Sequence, residues 1–312
     1  PFSHAMENSI VNGISHEQIS LRFMEVLNDE FNKRLTLAIT IFKDKYPRKF
    51  MHQLVSGQLD MDRLDYLRRD SFYTGVAEGT VNSERLIAML NVKDDSLVVE
   101  EKGIYSVEKF IVARRLMYWQ VYLHKTGIVA EQLLVRVLQR AKQLTSLGID
   151  LPASKALTFF LKNQISEANL TTEVLETFSK LDDYDVISAM KEWVYVDDFV
   201  LKNLSEMLLH RDLLKVKVKP EPFSEDKLNK KRKALMDEYN ISADEAAYFV
   251  FTIAMQNQAY SMEKDTINLL YKSGKVVEVA KASDQLNLEA LSKSVVKYYL
   301  CYPKNNPDSY RG

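Results

Sequence analysis

Ser56-Gly-Gln-Leu-Asp-Met-Asp-Arg-Leu-Asp-Tyr-Leu-Arg-Arg-Asp-Ser-Phe-Tyr-Thr-Gly75 decides how the rest of the chain is read. Its composition favours a helix from Asp60 to about Tyr73, with Gly75 as a stop. At roughly 100° per residue, Arg63, Asp65, Tyr66, Arg69, Asp70 and Tyr73 join Asp62 on one side. Met61, Leu64 and Leu67 fall on the other. Asp62, Tyr66 and Asp70, spaced i, i+4, i+8, stack along one stripe. That stripe reads either as a solvated, ion-paired face or as the wall of a half-dry cleft. Interleaved tyrosines suit the second reading. Carboxylates there can reach a metal or a sugar hydroxyl, and arginines suit phosphates.

Outward from the stripe, the whole chain sets limits. Its 312 residues make one large domain or two ordinary ones, and 46% hydrophobic with 27% charged residues is a globular composition. Nine glycines and seven prolines are few, which favours helices over tight turns. The formal net charge of −1 supplies no global field for nucleic acid or anionic membrane, so any anion must be held by a local patch. One cysteine, Cys301, excludes a disulfide framework and fits a reducing, cytoplasmic setting. No apolar run approaches the length of a membrane span.

Along the chain, amphipathic helices are expected at 17–28, with Ser15 as N-cap, and at 33–45. A third enters the opening stretch, and a capped helix covers 82–90. Residues 96–106 read as a hairpin turning at Lys102-Gly103. From Val107 to Leu144 the pattern is one long helix, on which Arg114, Tyr118, Tyr122 and Lys125 lie within about 80° of one another. They form an interfacial stripe or a cleft wall. Helices follow at 153–163, 171–180, 184–195 and 197–210. Near Leu213 the character changes. Leu214-Lys-Val-Lys-Val-Lys219 alternates as a strand with one basic face. A helix at 224–239 follows, then strands at 247–259, 267–271, 276–279 and 295–302, with a helix at 287–293. The fold class is therefore mainly α: a helical domain over 1–212 and a small α+β subdomain over 213–312.

Gln58-Leu-Asp-Met-Asp-Arg-Leu-Asp-Tyr-Leu-Arg-Arg-Asp70 resembles the signature of the HD-domain phosphohydrolases that act on deoxynucleoside triphosphates. These are the bacterial dGTPase-like enzymes and the animal enzyme that joins a sterile-alpha-motif to an HD domain. The resemblance implies an HD-type helical fold. It makes Asp62 the last ligand of a divalent catalytic metal (Mn, Mg, Fe or Zn), sets Arg63 and Tyr66 on the triphosphate, and sets Asp70 on the sugar 3′-hydroxyl. Where this chain has Arg63, a relative has Lys.

Arg114, Tyr118, Tyr122 and His124-Lys125 match the family's Arg-x-x-x-[His/Tyr]-x-x-x-Tyr run followed by His-Lys. Arg114 then touches phosphate, and Tyr118 and Tyr122 flank sugar and base. The animal enzyme has His at the Tyr118 position and Gln where this chain has Leu123, departures that bear on base and sugar recognition. Pro1-Phe-Ser-His4 and His16 match the segment just after the family's His-Asp pair. By resemblance His4 and His16 are the proton-handling histidines and Glu7 orients one of them. Two histidines and one aspartate of the metal set are then expected upstream of Pro1.

The implied reaction is hydrolysis of a dNTP to deoxynucleoside and inorganic triphosphate. Homodimers or homotetramers, a regulatory nucleotide, no membrane partner and no strong nucleic-acid signal complete the expectation. Two alternatives stand beside it. One is action on another phosphoester, a nucleoside monophosphate or cyclic nucleotide. The other is an inert nucleotide-binding scaffold.

Overall fold

The computed structural model describes residues 5, 7, 9–11, 13–263, 265–284, 288 and 292–304. The chain is mainly helical, with two small sheets. It groups into two compact units, each assembled from separated segments: 1–30, 125–254 and 297–312 in the first, 31–124 and 255–296 in the second. Residue 213, where the sequence changes character, lies within the first unit. No helix among the described residues is long and apolar enough to cross a membrane.

Helix α1 (His16–Glu30) belongs to the first unit. The second unit then contributes α2 (Thr36–Phe42), α3 (Lys49–Ser56), α4 (Met61–Thr74) and α5 (Ser83–Ala88). Strands β1 (Leu90–Lys93) and β2 (Ser96–Glu100) come next, then α6 (Ile104–Met117). α4 is the helix expected from the opening stretch. Asp60 caps its N-terminus by accepting from the Arg63 N–H at 2.7 Å, and Gly75 ends it at φ 71°, a left-handed angle that glycine takes without a Cβ penalty. Leu64 and Leu67 point into a core with Val107, Phe110, Ile111 and Met117 of α6.

The hairpin is displaced from its expected place. β1 and β2 pair antiparallel and turn at Asp94-Asp95, both at positive φ, while Glu101–Gly103 form a 3₁₀ turn leading into α6. Two aspartates tolerate the left-handed region because their short polar side chains bond locally, so the turn forms without a glycine.

The expected long helix is also broken. α6 ends at Met117, Tyr118–Tyr122 form one π-helical turn in which the Leu123 N–H donates to the Tyr118 carbonyl at 2.7 Å, and α7 (Lys125–Ser146) begins afresh. A π-turn is a single short turn inside a long apolar pattern, too brief for a periodicity reading to register.

In the first unit α7 packs most extensively on α11 (Phe199–Leu209). Between them in sequence come α8 (Lys155–Lys162), α9 (Thr172–Phe178) and α10 (Asp183–Trp193), all near their expected places. Leu133, Val137, Leu138 and Ala141 of α7 join Phe160, Trp193, Val200, Leu201 and Leu204 in one apolar cluster. Arg140 on α7 and Asp198, the cap of α11, form a two-pronged, nearly buried ion pair. Strand β3 (Lys215–Lys219) and helix α12 (Glu225–Tyr239) lie where the sequence places them.

The expected strand at 247–259 is instead helix α13 (Ala243–Phe249) followed by β4 (Phe251–Asn257). The capping box of Ser242 and Glu245 starts the helix. β5 (Asn268–Leu270), β6 (Val276–Glu278), the short α14 (Val279–Ala282) and β7 (Val295–Tyr302) complete the chain. The two sheets have orders β1-β2-β5-β6 and β3-β7-β4. Most of the expected helix at 287–293 lies outside the described residues.

Candidate functional site

The second unit gathers most of the implicated residues. On α4, Arg63, Tyr66 and Asp70 are half-buried, whereas Asp62, Asp65, Arg69 and Tyr73 are exposed. The packed stripe is thus narrower than the helical wheel implies and runs i, i+3, i+7. It faces aromatic neighbours: Tyr66 meets Tyr122 edge-on at 5.8 Å between centroids, and Tyr122 meets Tyr118 edge-on at 5.2 Å. The Tyr122 hydroxyl donates to Asp70 Oδ2 at 2.7 Å. The Arg114 guanidinium stands 5.7 Å from the Tyr118 ring centroid and donates through Nη1 to the Ala259 carbonyl at 3.1 Å. Its Nε is buried with no hydrogen-bond partner among the described residues, and a buried donor left unpaired has an unmet affinity for an acceptor.

Tyr118 and Tyr122 open and close the π-turn and serve one cluster. Four-residue spacing already puts two side chains on one helix face, and here both rings are carried on the π-turn, Tyr122 touching Tyr118 on one side and Tyr66 of α4 on the other.

Charge in this cluster is set by burial and neighbours. Burial and the adjacent Tyr118 push the Tyr66 hydroxyl up to about 12. Burial and the Asp70 carboxylate push Tyr122 up further. Both phenols are therefore neutral donors at neutral pH. Burial works against the Arg63 charge, but Asp60, Tyr66 and Tyr118 outweigh it and hold the guanidinium firmly protonated. Arg63 donates from Nε to the Gly57 carbonyl at 2.9 Å and to Asp60 Oδ2 at 3.1 Å. One edge of its fork is thus spent on anchoring.

Sequence reasoning finds Asp60 only as the start of the helix. It is 4% exposed, caps α4 and pairs with Arg63. An Asp three residues before an Arg at a helix start is the signal that points to it. Gln58 is a second such residue. Its amide donates to the Ser261 carbonyl and accepts from the Ser261 N–H, each at 2.7 Å, pinning the start of the motif to a distant loop.

In the first unit, Glu7 Oε1 accepts from the His16 backbone N–H at 2.5 Å and lies 2.7 Å from His16 Nδ1. Glu7 therefore fixes the orientation of the ring. Ser15 and Gln18 hold the start of α1 by a reciprocal pair of bonds. His4 lies outside the described residues. Among the described residues no three His, Cys, Asp or Glu side chains come together to hold a metal ion. Asp62 has no co-ligands there, so these residues do not by themselves make a metal site.

A family model described as an HD associated region matches residues 81–150. The crystal structure of a phosphohydrolase from Bacteroides thetaiotaomicron is 52% identical to this chain at a TM-score of 0.93, over 97% of this chain and 76% of that one. The uncharacterized protein YwfO of Bacillus subtilis is 29% identical over 98% of this chain and 70% of its own length. A protein named deoxynucleoside triphosphate triphosphohydrolase SAMHD1 homolog, from Dictyostelium discoideum, is 27% identical over 50% of this chain and 33% of its own length.

Proposed function

The chain belongs to the HD-superfamily phosphohydrolases, and from that premise we propose that it hydrolyses deoxynucleoside triphosphates to deoxynucleoside and inorganic triphosphate. The single observation that carries this reading is the cluster of Arg63, Tyr66, Asp70, Arg114, Tyr118 and Tyr122. It combines two guanidiniums, three phenols and one carboxylate in a half-buried setting. The named activity of the Dictyostelium relative supports the same substrate class.

Each residue has a task in keeping with its surroundings. The unpaired Nε of Arg114 and the free edge of Arg63 balance triphosphate charge. Tyr66, kept neutral, donates a hydrogen bond to a phosphate oxygen. Asp70 accepts from the sugar 3′-hydroxyl, with Tyr122 holding its other oxygen in place. Tyr118 lies against sugar and base. His16, whose ring Glu7 orients, is assigned proton delivery to the leaving 5′-oxygen. HD phosphohydrolases are metal-dependent, and Asp62 is this chain's contribution to such a site. Polarising a phosphate and activating water is the chemistry the metal supplies.

The test incubates the intact protein with each dNTP and Mn²⁺ or Mg²⁺, separating products by anion exchange. Triphosphate and deoxynucleoside are expected, with loss of at least about 10²-fold in kcat for Asp62→Ala. Tyr66→Phe is expected to raise KM several-fold. Release of orthophosphate or diphosphate instead would replace the reading with hydrolysis of another phosphoester. Binding of dNTP without turnover under either metal would leave a nucleotide-binding scaffold.

A further inference from the structure

Five lysines of the first unit meet on one face. Lys215, Lys217 and Lys219 alternate along β3, and Lys227 and Lys231 stand one turn apart on α12. Four of them converge on two rings. Lys217 Nζ lies 6.0 Å and Lys231 Nζ 3.5 Å from the centroid of Tyr302. Lys219 Nζ lies 4.6 Å and Lys227 Nζ 5.2 Å from the centroid of Phe223. None of the five is in an ion pair among the described residues. Burial, then Lys217, Lys227 and Lys215, lower the pKa of Lys231, so its neighbours repel its charge. In a chain of net charge −1 this is a marked local excess.

A blander reading gives the lysines of β3 the task of blocking strand pairing, because β3 is an edge strand in the order β3-β7-β4. That accounts for the three on the strand. It does not account for two more, brought from a helix onto the same rings. Like charges gathered without counter-charges raise the energy of the free protein, and a bound polyanion relieves that cost.

We propose that the face formed by Lys215, Lys217, Lys219, Lys227 and Lys231 with Tyr302 and Phe223 binds single-stranded nucleic acid. Alternate residues of a strand stand about 6.7 Å apart, a separation comparable to that of successive phosphates along an extended single strand. Half-buried aromatic rings beside ammonium groups are the combination that unpaired bases use, since every base has a π-face to stack. Duplex DNA hides those faces, and an anionic membrane has none. The outer backbone edge of β3, which pairs with no strand among the described residues, adds N–H donors along the same line.

The experiment is fluorescence anisotropy of a labelled oligothymidylate with the intact protein, across a series of NaCl concentrations. With five phosphate contacts at about 0.7 each, log Kobs should fall against log salt with a slope of about −3.5. The variant Lys217→Gln/Lys227→Gln/Lys231→Gln should flatten that slope by about 2 and weaken binding at least tenfold at low salt. Its melting temperature should be unchanged or higher, because repulsion is removed. A control, Lys155→Gln/Lys180→Gln/Lys191→Gln, changes three exposed lysines of the same unit and should leave the slope alone. Phe223→Leu should cost about fivefold or more through lost stacking. Equal behaviour of the two triple variants would overturn the proposal. So would a preference for duplex of the same length, or binding to phosphatidylserine vesicles without binding to the oligonucleotide.

Discussion

Asp60 does two things with one carboxylate. Oδ1 caps α4, and Oδ2 pairs with the Arg63 Nε, while the residue is only 4% exposed. Removing it leaves the helix N-terminus without its cap and the half-buried guanidinium with the Gly57 carbonyl but no counter-charge. Asp60→Ala is therefore expected to cost about 2 kcal/mol, the upper end for an N-cap. Asp60→Asn keeps an oxygen for the cap and should cost less than half as much. Thermal melts of the two variants check the order, and an equal loss in both would place the whole effect in charge. This residue is legible in the sequence only as a helix start. The i, i+4, i+8 spacing of Asp62, Tyr66 and Asp70 is visible from the letters alone, but it cannot say which of its members packing leaves wet. Asp62 is exposed and Tyr66 half-buried, and that difference comes from α6 and the π-turn, whose distance in sequence hides them.

Elements are most legible where one period rules. Leu64 and Leu67 lie on the dry face of α4, and Val216 alternates with the lysines of β3, as their spacing requires. Reading fails where two periods give the same letters. Ala246-Ala-Tyr-Phe-Val-Phe251 is apolar on every face, so nothing in it marks the end of α13 and the start of β4 at Phe251. The π-turn is the other failure, and it makes a prediction. Deleting Gln120, an exposed residue of that turn, would restore α-helical spacing and rotate the residues after it by about 100°. Tyr122 would then leave Asp70. The near-UV circular dichroism of the tyrosine cluster should fall, and the proposed dNTP hydrolysis should fall at least tenfold. Gln120→Ala should change neither.

The single cysteine reports on the molecule as a whole. Cys301 is fully buried on β7, opposite Val216 of β3, and burial pushes its thiol up to about 12 despite the guanidinium of Arg136 nearby. An unfolded chain loses that proton near its ordinary value, so above about pH 9 the unfolded state binds fewer protons than the folded one. Stability is thus lost as pH rises from about 9 to about 12. Below that window the thiol is neutral in both states and adds no pH dependence. The difference in unfolding free energy between the parent and Cys301→Ser should be flat to pH 9 and then shift against the parent, as read by urea titrations at successive pH. A difference that stays flat to pH 11 would count against a buried neutral thiol.

The interleaving of the two units bears on how this protein is made. The first unit needs segments from both ends of the chain, 1–30 and 297–312, together with its middle. Within it, Phe23 of α1 rests on Phe178 of α9, about 155 residues later, so at ribosomal rates α1 waits on the order of ten seconds for that partner to emerge. Contacts so far apart in sequence also close slowly. During that wait the apolar side chains of α1 have no permanent home, so nascent chains are expected to lean on chaperones before they lean on their own core.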